Sequence, residues 1–100
     1  MNEPLEKVRS KGIELIVQGE HLGYALSEED RTYVLGSLCE LVGKSLQAAG
    51  QGRGEHAARL ARALEGALIP MLETDEGRTL ELSLWEYEAA LQELGQGGPH

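Results

Sequence analysis

The sequence predicts an all-α protein, a small four-helix bundle whose last helix is short. Hydrophobic residues make up 41% of the chain and are mostly Leu and Ala, with no Phe and one Trp. Strand-forming β-branched and aromatic residues are therefore scarce. Apolar residues also recur every three or four positions. A chain of 100 residues holds one core, so we expect a single helical domain at residues 1–94 and a disordered tail at residues 95–100.

The first helix is predicted from Pro4 to Leu22. Proline is tolerated in the first turn of a helix, where its missing N–H would have no partner. Gly23 is a plausible stop. The helical stripe between these ends consists of Leu5, Val8, Gly12, Leu15, Gly19 and Leu22.

The second helix is predicted from Ser27, as its cap, to Gly50. A serine oxygen can accept a hydrogen bond from a free amide of the first turn. Three acidic residues at 28–30 follow, where the helix dipole favours negative charge. The glycine-rich stretch 50–54 is then predicted to be a flexible turn.

The third helix is predicted to continue to Leu72 with a kink at Pro70. The proline ring would strike the carbonyl of Gly66, and a glycine makes that kink sterically easier. The alternative ends the helix at Gly66 and forms a β-hairpin over residues 70–83, because leucines alternate with other residues at 80–84. The last helix is predicted over residues 84–94, because Ser83 and Glu86 have the spacing of a capping box.

Helices one and two both carry glycines one heptad apart, although each glycine costs about 1 kcal/mol relative to alanine. We interpret the small residues as a close-packing seam between two antiparallel helices, with Leu15 seated near a glycine of helix two. Cys39 would then be a buried, inert thiol. The alternatives are irregular helix and a seam between two copies in a dimer. The candidate seam consists of Gly12, Gly19, Gly36, Cys39 and Gly43.

The formal net charge of -8 argues against direct binding of nucleic acid or of an anionic membrane. Residues 73–93 hold seven acidic side chains against the single Arg78. A small basic island precedes them and is interpreted as a solvated face, since Glu55 stands four residues before Arg59. The island comprises Arg53, His56, Arg59 and Arg62.

The metal-site motifs that use cysteine or histidine are absent from the sequence, and its two Glu-x-x-Glu turns, Glu3–Glu6 and Glu73–Glu76, lie at predicted helix ends outside the apolar stripes. The lone Cys39 excludes an intrachain disulfide and a cysteine-rich zinc site. No histidine is preceded three residues earlier by Glu, as a carboxylate-bridged di-metal site requires. We expect no cofactor and no metal. With no basic leader and no long apolar run, the sequence predicts a reduced, cytoplasmic protein.

Trp85 is a functional candidate, because a large aromatic within an acidic surface is typical of an interface anchor. The alternative is that Trp85 covers the edge of the bundle core. The interface candidates are Trp85, Glu81, Glu86, Tyr87 and Glu88. They predict a non-enzymatic adaptor or regulatory or inhibitory subunit that binds a basic protein partner and self-associates, as a dimer. The alternative is a small enzyme or metal-dependent small-molecule binder that uses Glu20, His21 and Tyr24.

Overall fold

The computed structural model describes residues 3–96, which form four α-helices and one short 3-10 turn. The helices are α1 (Glu3–Gly23), α2 (Glu28–Gly50), α3 (Gly54–Leu68) and α4 (Asp75–Gln96), and the turn is Ile69–Met71. The predicted all-α class is confirmed, and no strand occurs within residues 3–96. Helix contacts follow the order α1, α2, α3, α4, with α4 packed back on α1. The bundle is a rod of 47 × 17 × 17 Å.

The ends of α1 and α2 match the sequence prediction closely. Ser27 has extended backbone angles, and its hydroxyl oxygen accepts a hydrogen bond from the amide of Asp30 at 3.2 Å. At the other end of α2, Gly52 adopts φ +78°. Its amide donates to the carbonyl of Ala49 at 3.0 Å, which closes the last turn. A side chain at Gly52 would be strained in this conformation.

The predictions for residues 70–83 are wrong in both forms. Helix α3 ends at Leu68 and continues only as the 3-10 turn, and the hairpin is absent, because α4 already begins at Asp75. Pro70 lies in that turn and has no N–H to extend an α-helical ladder.

The last helix is therefore longer than predicted. Its N-terminal cap is Thr74, whose hydroxyl oxygen accepts from the amide of Gly77 at 3.0 Å. Ser83 is buried in the middle of α4, so the predicted capping box with Glu86 does not cap a helix. At the C-terminal end α4 includes residues 95 and 96, and the rest of the predicted tail, residues 97–100, lies outside the described residues. None of the helices within residues 3–96 combines the length and the apolar character that a membrane crossing needs.

Helix α1 packs closely against α2 and α4 at its glycines. A methyl group at Gly12 would lie 3.2 Å from Val42 Cγ1 and 3.3 Å from Tyr87 Cε1, and one at Gly19 would overlap Leu38. The two glycines thus receive bulky side chains from α2 and α4. Because these glycines have no side chain, the neighbouring helices can approach α1 closely.

The glycines of α2 lie on the opposite side of that helix from the core. No atom lies within 4 Å of a Cβ placed at Gly36 or Gly43, and Cys39 is exposed. The predictions that Leu15 seats against them and that Cys39 is buried are therefore wrong. The bulkier line centred on Leu38 faces the core, because burying it removes more apolar surface from water. A seam between two copies stays a prediction.

Candidate functional site

Three large apolar side chains are exposed together where α3 ends and α4 begins. Ile69, Leu82 and Trp85 have exposed fractions of 56%, 55% and 50%. They line one depression with a volume of about 490 Å³. Its lining is completed by Leu72, Glu73, Arg78 and Glu81. We call this depression the Trp85 groove.

The local fold explains why these side chains meet. Leu82 and Trp85 are three residues apart on α4, which places them on the same side of the helix one turn apart. The backbone of Leu72 packs directly on Gly77, where a Cβ would lie only 2.6 Å from the Leu72 Cα atom. This contact holds the segment after the 3-10 turn against the first turns of α4, so Ile69 is fixed beside the other two.

The indole ring of Trp85 is held by its polar edge. Its Nε1–H donates a hydrogen bond to the carboxylate of Glu65 on α3, and the rest of the ring remains half exposed. Buried or half-buried Trp residues commonly pair this N–H while their apolar face contacts a partner. With Glu73 and Glu81 in the lining, three carboxylates surround the groove against the single guanidinium of Arg78.

Only some of the predicted interface residues line this groove. Trp85 and Glu81 do. Glu86 points instead toward α1, where its Oε1 lies 3.6 Å from Lys11 Nζ. Glu88 accepts hydrogen bonds from Nε and Nη2 of Arg62 at 2.9 and 2.6 Å, which joins α4 to α3.

Tyr87 is fully buried and offers no surface to a partner, so the prediction that it is an interface residue is wrong. Its hydroxyl is hydrogen-bonded to the hydroxyl of Ser45 on α2. Burial raises the pKa of Tyr87, because desolvation disfavours the charged phenolate. Tyr87 therefore belongs to the core of the bundle.

The sequence prediction missed Ile69, Leu82, Glu65 and Glu73. Leu82 belongs to the strand alternation only in the hairpin alternative, and the predicted last helix begins two residues after it. Thr74 followed by two acidic residues is the helix-start signal that could have corrected this. With α4 begun there, Leu82 falls off the buried line of that helix and becomes a surface candidate.

The structure brings together two of the three residues of the predicted enzyme alternative. Glu20 and Tyr24 line a depression of about 280 Å³ with Arg31 and Leu35, and His21 is exposed outside that lining. Within residues 3–96, no three His, Cys, Asp or Glu side chains are placed to hold a metal ion.

The basic island is divided between two places. Arg53 and His56 line a depression at the α2–α3 end of the bundle. Arg59 and Arg62 line another, which also includes Glu55. The guanidinium of Arg62 is already bound to Glu88 of α4, so the four residues of the basic island do not form one surface.

Comparisons with protein-family models, with curated proteins and with solved structures gave no match for this chain. Function must therefore be inferred from its own residues. The lining of the Trp85 groove consists of apolar side chains, carboxylates and one guanidinium. Such a lining offers apolar contact and charge for binding, and it holds no pairing of a nucleophile with a base.

Proposed function

We propose that this protein is a non-enzymatic protein–protein interaction module, an adaptor or regulatory subunit, that docks a basic partner in the Trp85 groove. The observation that carries the proposal is the half-exposed Trp85 beside Leu82 and Ile69 in one depression. Exposed aromatic and aliphatic side chains in a concave surface are typical of the centre of an interface. An inhibitor that covers a basic surface is a narrower form of the same proposal.

The charge around the groove supports a basic partner. The chain has a formal net charge of -8, and Glu65, Glu73 and Glu81 surround the groove against the guanidinium of Arg78. Complementary charge speeds the encounter of two proteins and disfavours partners of like charge. We expect the partner to present a large apolar side chain flanked by Lys or Arg.

The exposed part of Trp85 is large enough to act as an anchor. A tryptophan buries 150–250 Å² at most, so covering its exposed half removes roughly 100 Å² from water. At ~25 cal/mol per Å² this corresponds to about 2 to 3 kcal/mol. That is the usual range for a residue whose truncation strongly weakens an interface.

The first experiment is retention of partners on the immobilised protein. Proteins from a lysate of the source are bound, eluted with rising salt and identified. Trp85→Ala is compared with Tyr33→Ala, which removes another half-exposed aromatic (48% exposed) on α2, away from the groove. We expect a protein with an isoelectric point above about 9 to elute at moderate salt, to be lost with Trp85→Ala and to be retained with Tyr33→Ala.

The identified protein is then purified and titrated directly. The chain has one Trp, so its fluorescence reports on the groove, and binding should shift that emission to shorter wavelength. A partner that binds equally well to the Trp85→Ala variant, or one whose binding is insensitive to salt, contradicts the proposal.

A further inference from the structure

The carboxylates around the Trp85 groove are not neutralised by a cation of the same chain. Within residues 3–96, six ion pairs join Lys or Arg to Glu. None of the six includes Glu65, Glu73 or Glu81. Arg78 lines the same groove and takes part in none of these pairs either. The negative charge at the groove is therefore open to a cation that another molecule supplies.

Two of these carboxylates flank the ring of Trp85, one from each helix. Glu81 stands four residues before Trp85 on α4, so it lies one turn away on the same side of the helix. Glu65 reaches the ring from α3 and accepts its N–H. Both acidic residues are half-buried. Water and salt therefore screen their charge less than they would on an open surface.

The hydrogen bond to Glu65 fixes the orientation of the indole ring. The ring is attached to α4 and bonded at Nε1 to α3, so it is held at both ends while half of Trp85 stays exposed. The face of an indole ring attracts cations, and Trp does so more strongly than Tyr or Phe. The groove thus presents a fixed aromatic face with a carboxylate at its edge.

The rest of the groove requires an apolar stem as well as a positive charge. Ile69, Leu72 and Leu82 line it beside the ring. Lys and Arg both bury a chain of methylene groups against apolar surface while the charged head stays outside. The guanidinium of Arg is planar and weakly hydrated, so it can stack on a ring and bond a carboxylate through its edge at the same time. The more strongly hydrated ammonium of Lys suits this lining less well.

We propose that the basic partner inserts an arginine side chain into the Trp85 groove, with the guanidinium stacked on the exposed indole face and bonded to Glu81 and Glu65. Its methylene groups pack on Leu82. This arginine rests on the docking function proposed above and deepens it from a basic partner to one side chain in one position.

The position of Arg78 sets where that arginine lies. Arg78 is seven residues before Trp85 on α4, which places it two turns away on the same side of the helix. Its charge repels a second cation from that end of the groove. The indole end therefore takes the arginine, and the other end takes the uncharged apolar side chain of the partner.

The test uses the isotope-labelled full chain and the capped tripeptide Leu-Gly-Arg as the probe. The matched probe is Leu-Gly-citrulline, which has nearly the same shape and no charge. The chain has one Trp, so nuclear magnetic resonance shows one indole N–H signal, and that signal reports on the groove. We expect Leu-Gly-Arg to shift it saturably below about 10 mM, and to bind about tenfold more tightly than Leu-Gly-citrulline at low salt.

The signals of the probe itself distinguish stacking from simple ion pairing. Protons that lie over an aromatic face resonate upfield, so the δ-methylene protons of the bound arginine should shift upfield. An arginine that only pairs with carboxylates would bind without this shift, and that result would contradict the stacked position.

Three neutral variants of matched size locate the charge that matters. Glu81→Gln and Glu65→Gln should each weaken the binding of Leu-Gly-Arg about threefold. Glu55→Gln makes the same change of net charge on an exposed residue near the other end of α3. It should bind the probe within about twofold of the natural chain. Equal weakening by all three would show that affinity follows net charge and would overturn the assigned position.

Two further outcomes overturn the inference. One is an indole signal that Leu-Gly-Arg does not move, and the other is equal affinity for the two probes. Equal affinity would still show the groove to be an apolar docking surface, so it would remove the arginine and leave the docking function standing. The docking function itself fails only in the separate experiment with Trp85→Ala and the retained partner.

Discussion

The hydroxyl of Tyr87 on α4 donates a hydrogen bond to the hydroxyl oxygen of Ser45 on α2, across the diagonal of the bundle. The direction follows from Ser45, whose own proton is donated to the carbonyl of Val42 at 3.2 Å. Both side chains are fully buried. Helices α2 and α4 make few contacts with each other, so this hydrogen bond is a specific link between them.

Removing either partner of this hydrogen bond should destabilise the bundle, but the two substitutions should cost different amounts of free energy. Tyr87→Phe deletes the donor and should lower the free energy of unfolding by about 1 kcal/mol. Ser45→Ala leaves the Tyr87 hydroxyl buried without its acceptor and should cost about 1 to 3 kcal/mol. Urea denaturation measures both. A Ser45→Ala variant as stable as the natural chain would contradict the described hydrogen bond.

The same tyrosine should make the stability depend on alkaline pH. Burial raises the pKa of Tyr87 above its ordinary value of 10.0, so the folded state holds this proton more tightly than the unfolded state does. The stability that this proton contributes is fully present below about pH 10. It is lost as the pH rises toward the pKa of Tyr87 in the folded state. Urea denaturation between about pH 9 and 11 should show this decline, and Tyr87→Phe should show a shallower one.

Two glycine-to-alanine changes should have opposite effects. At Gly77 a Cβ would lie 2.6 Å from the Cα atom of Leu72 and 2.7 Å from the carbonyl oxygen of Met71. Backbone atoms cannot rotate away, so Gly77→Ala should cost about 2 kcal/mol. Gly66→Ala fills open space in α3 and should add about 0.5 to 1 kcal/mol. Thermal unfolding ranks the two variants, and the reverse order would refute the described packing at Gly77.

The ion pair between Arg62 and Glu88 should matter more than an exposed pair. The Glu88 side chain is only 14% exposed, and Arg62→Ala would leave it without its cation at a cost of about 1 kcal/mol. The comparison is Arg9→Ala, whose pair with Glu6 is 3.4 Å long and exposed on both sides, and which should cost less than about 0.5 kcal/mol. Urea denaturation at low and high salt measures both. Equal costs would show that partial burial of Glu88 contributes nothing.

The sequence predicted the first half of the fold well because its helix ends carry local chemical signals. Pro4 and Ser27 act within their own turns, so no distant contact is needed to place α1 and α2. The second half contained two competing signals, Thr74 and Ser83, each a good cap by residue type. Which one caps α4 depends on whether Leu80 and Leu84 are buried together, and this is a tertiary property.

The site could be predicted only in part for a similar reason. Trp85 was identified from its residue type and acidic surroundings, which are local. Ile69 lies on another element, and it reaches Trp85 only because Gly77 lets the intervening segment fold tightly. The exposure of Cys39 could not be deduced either, since α2 has two lines of uncharged residues and periodicity alone does not say which of them faces the core.

The construction of the Trp85 groove from two segments has a consequence for local opening. Ile69 follows α3, whereas Leu82 and Trp85 belong to α4, so the groove exists only while the end of α3 stays docked on α4. A fluctuation that separates these two segments needs no unfolding of α1 or α2. The groove should therefore be lost to local opening before the bundle as a whole unfolds.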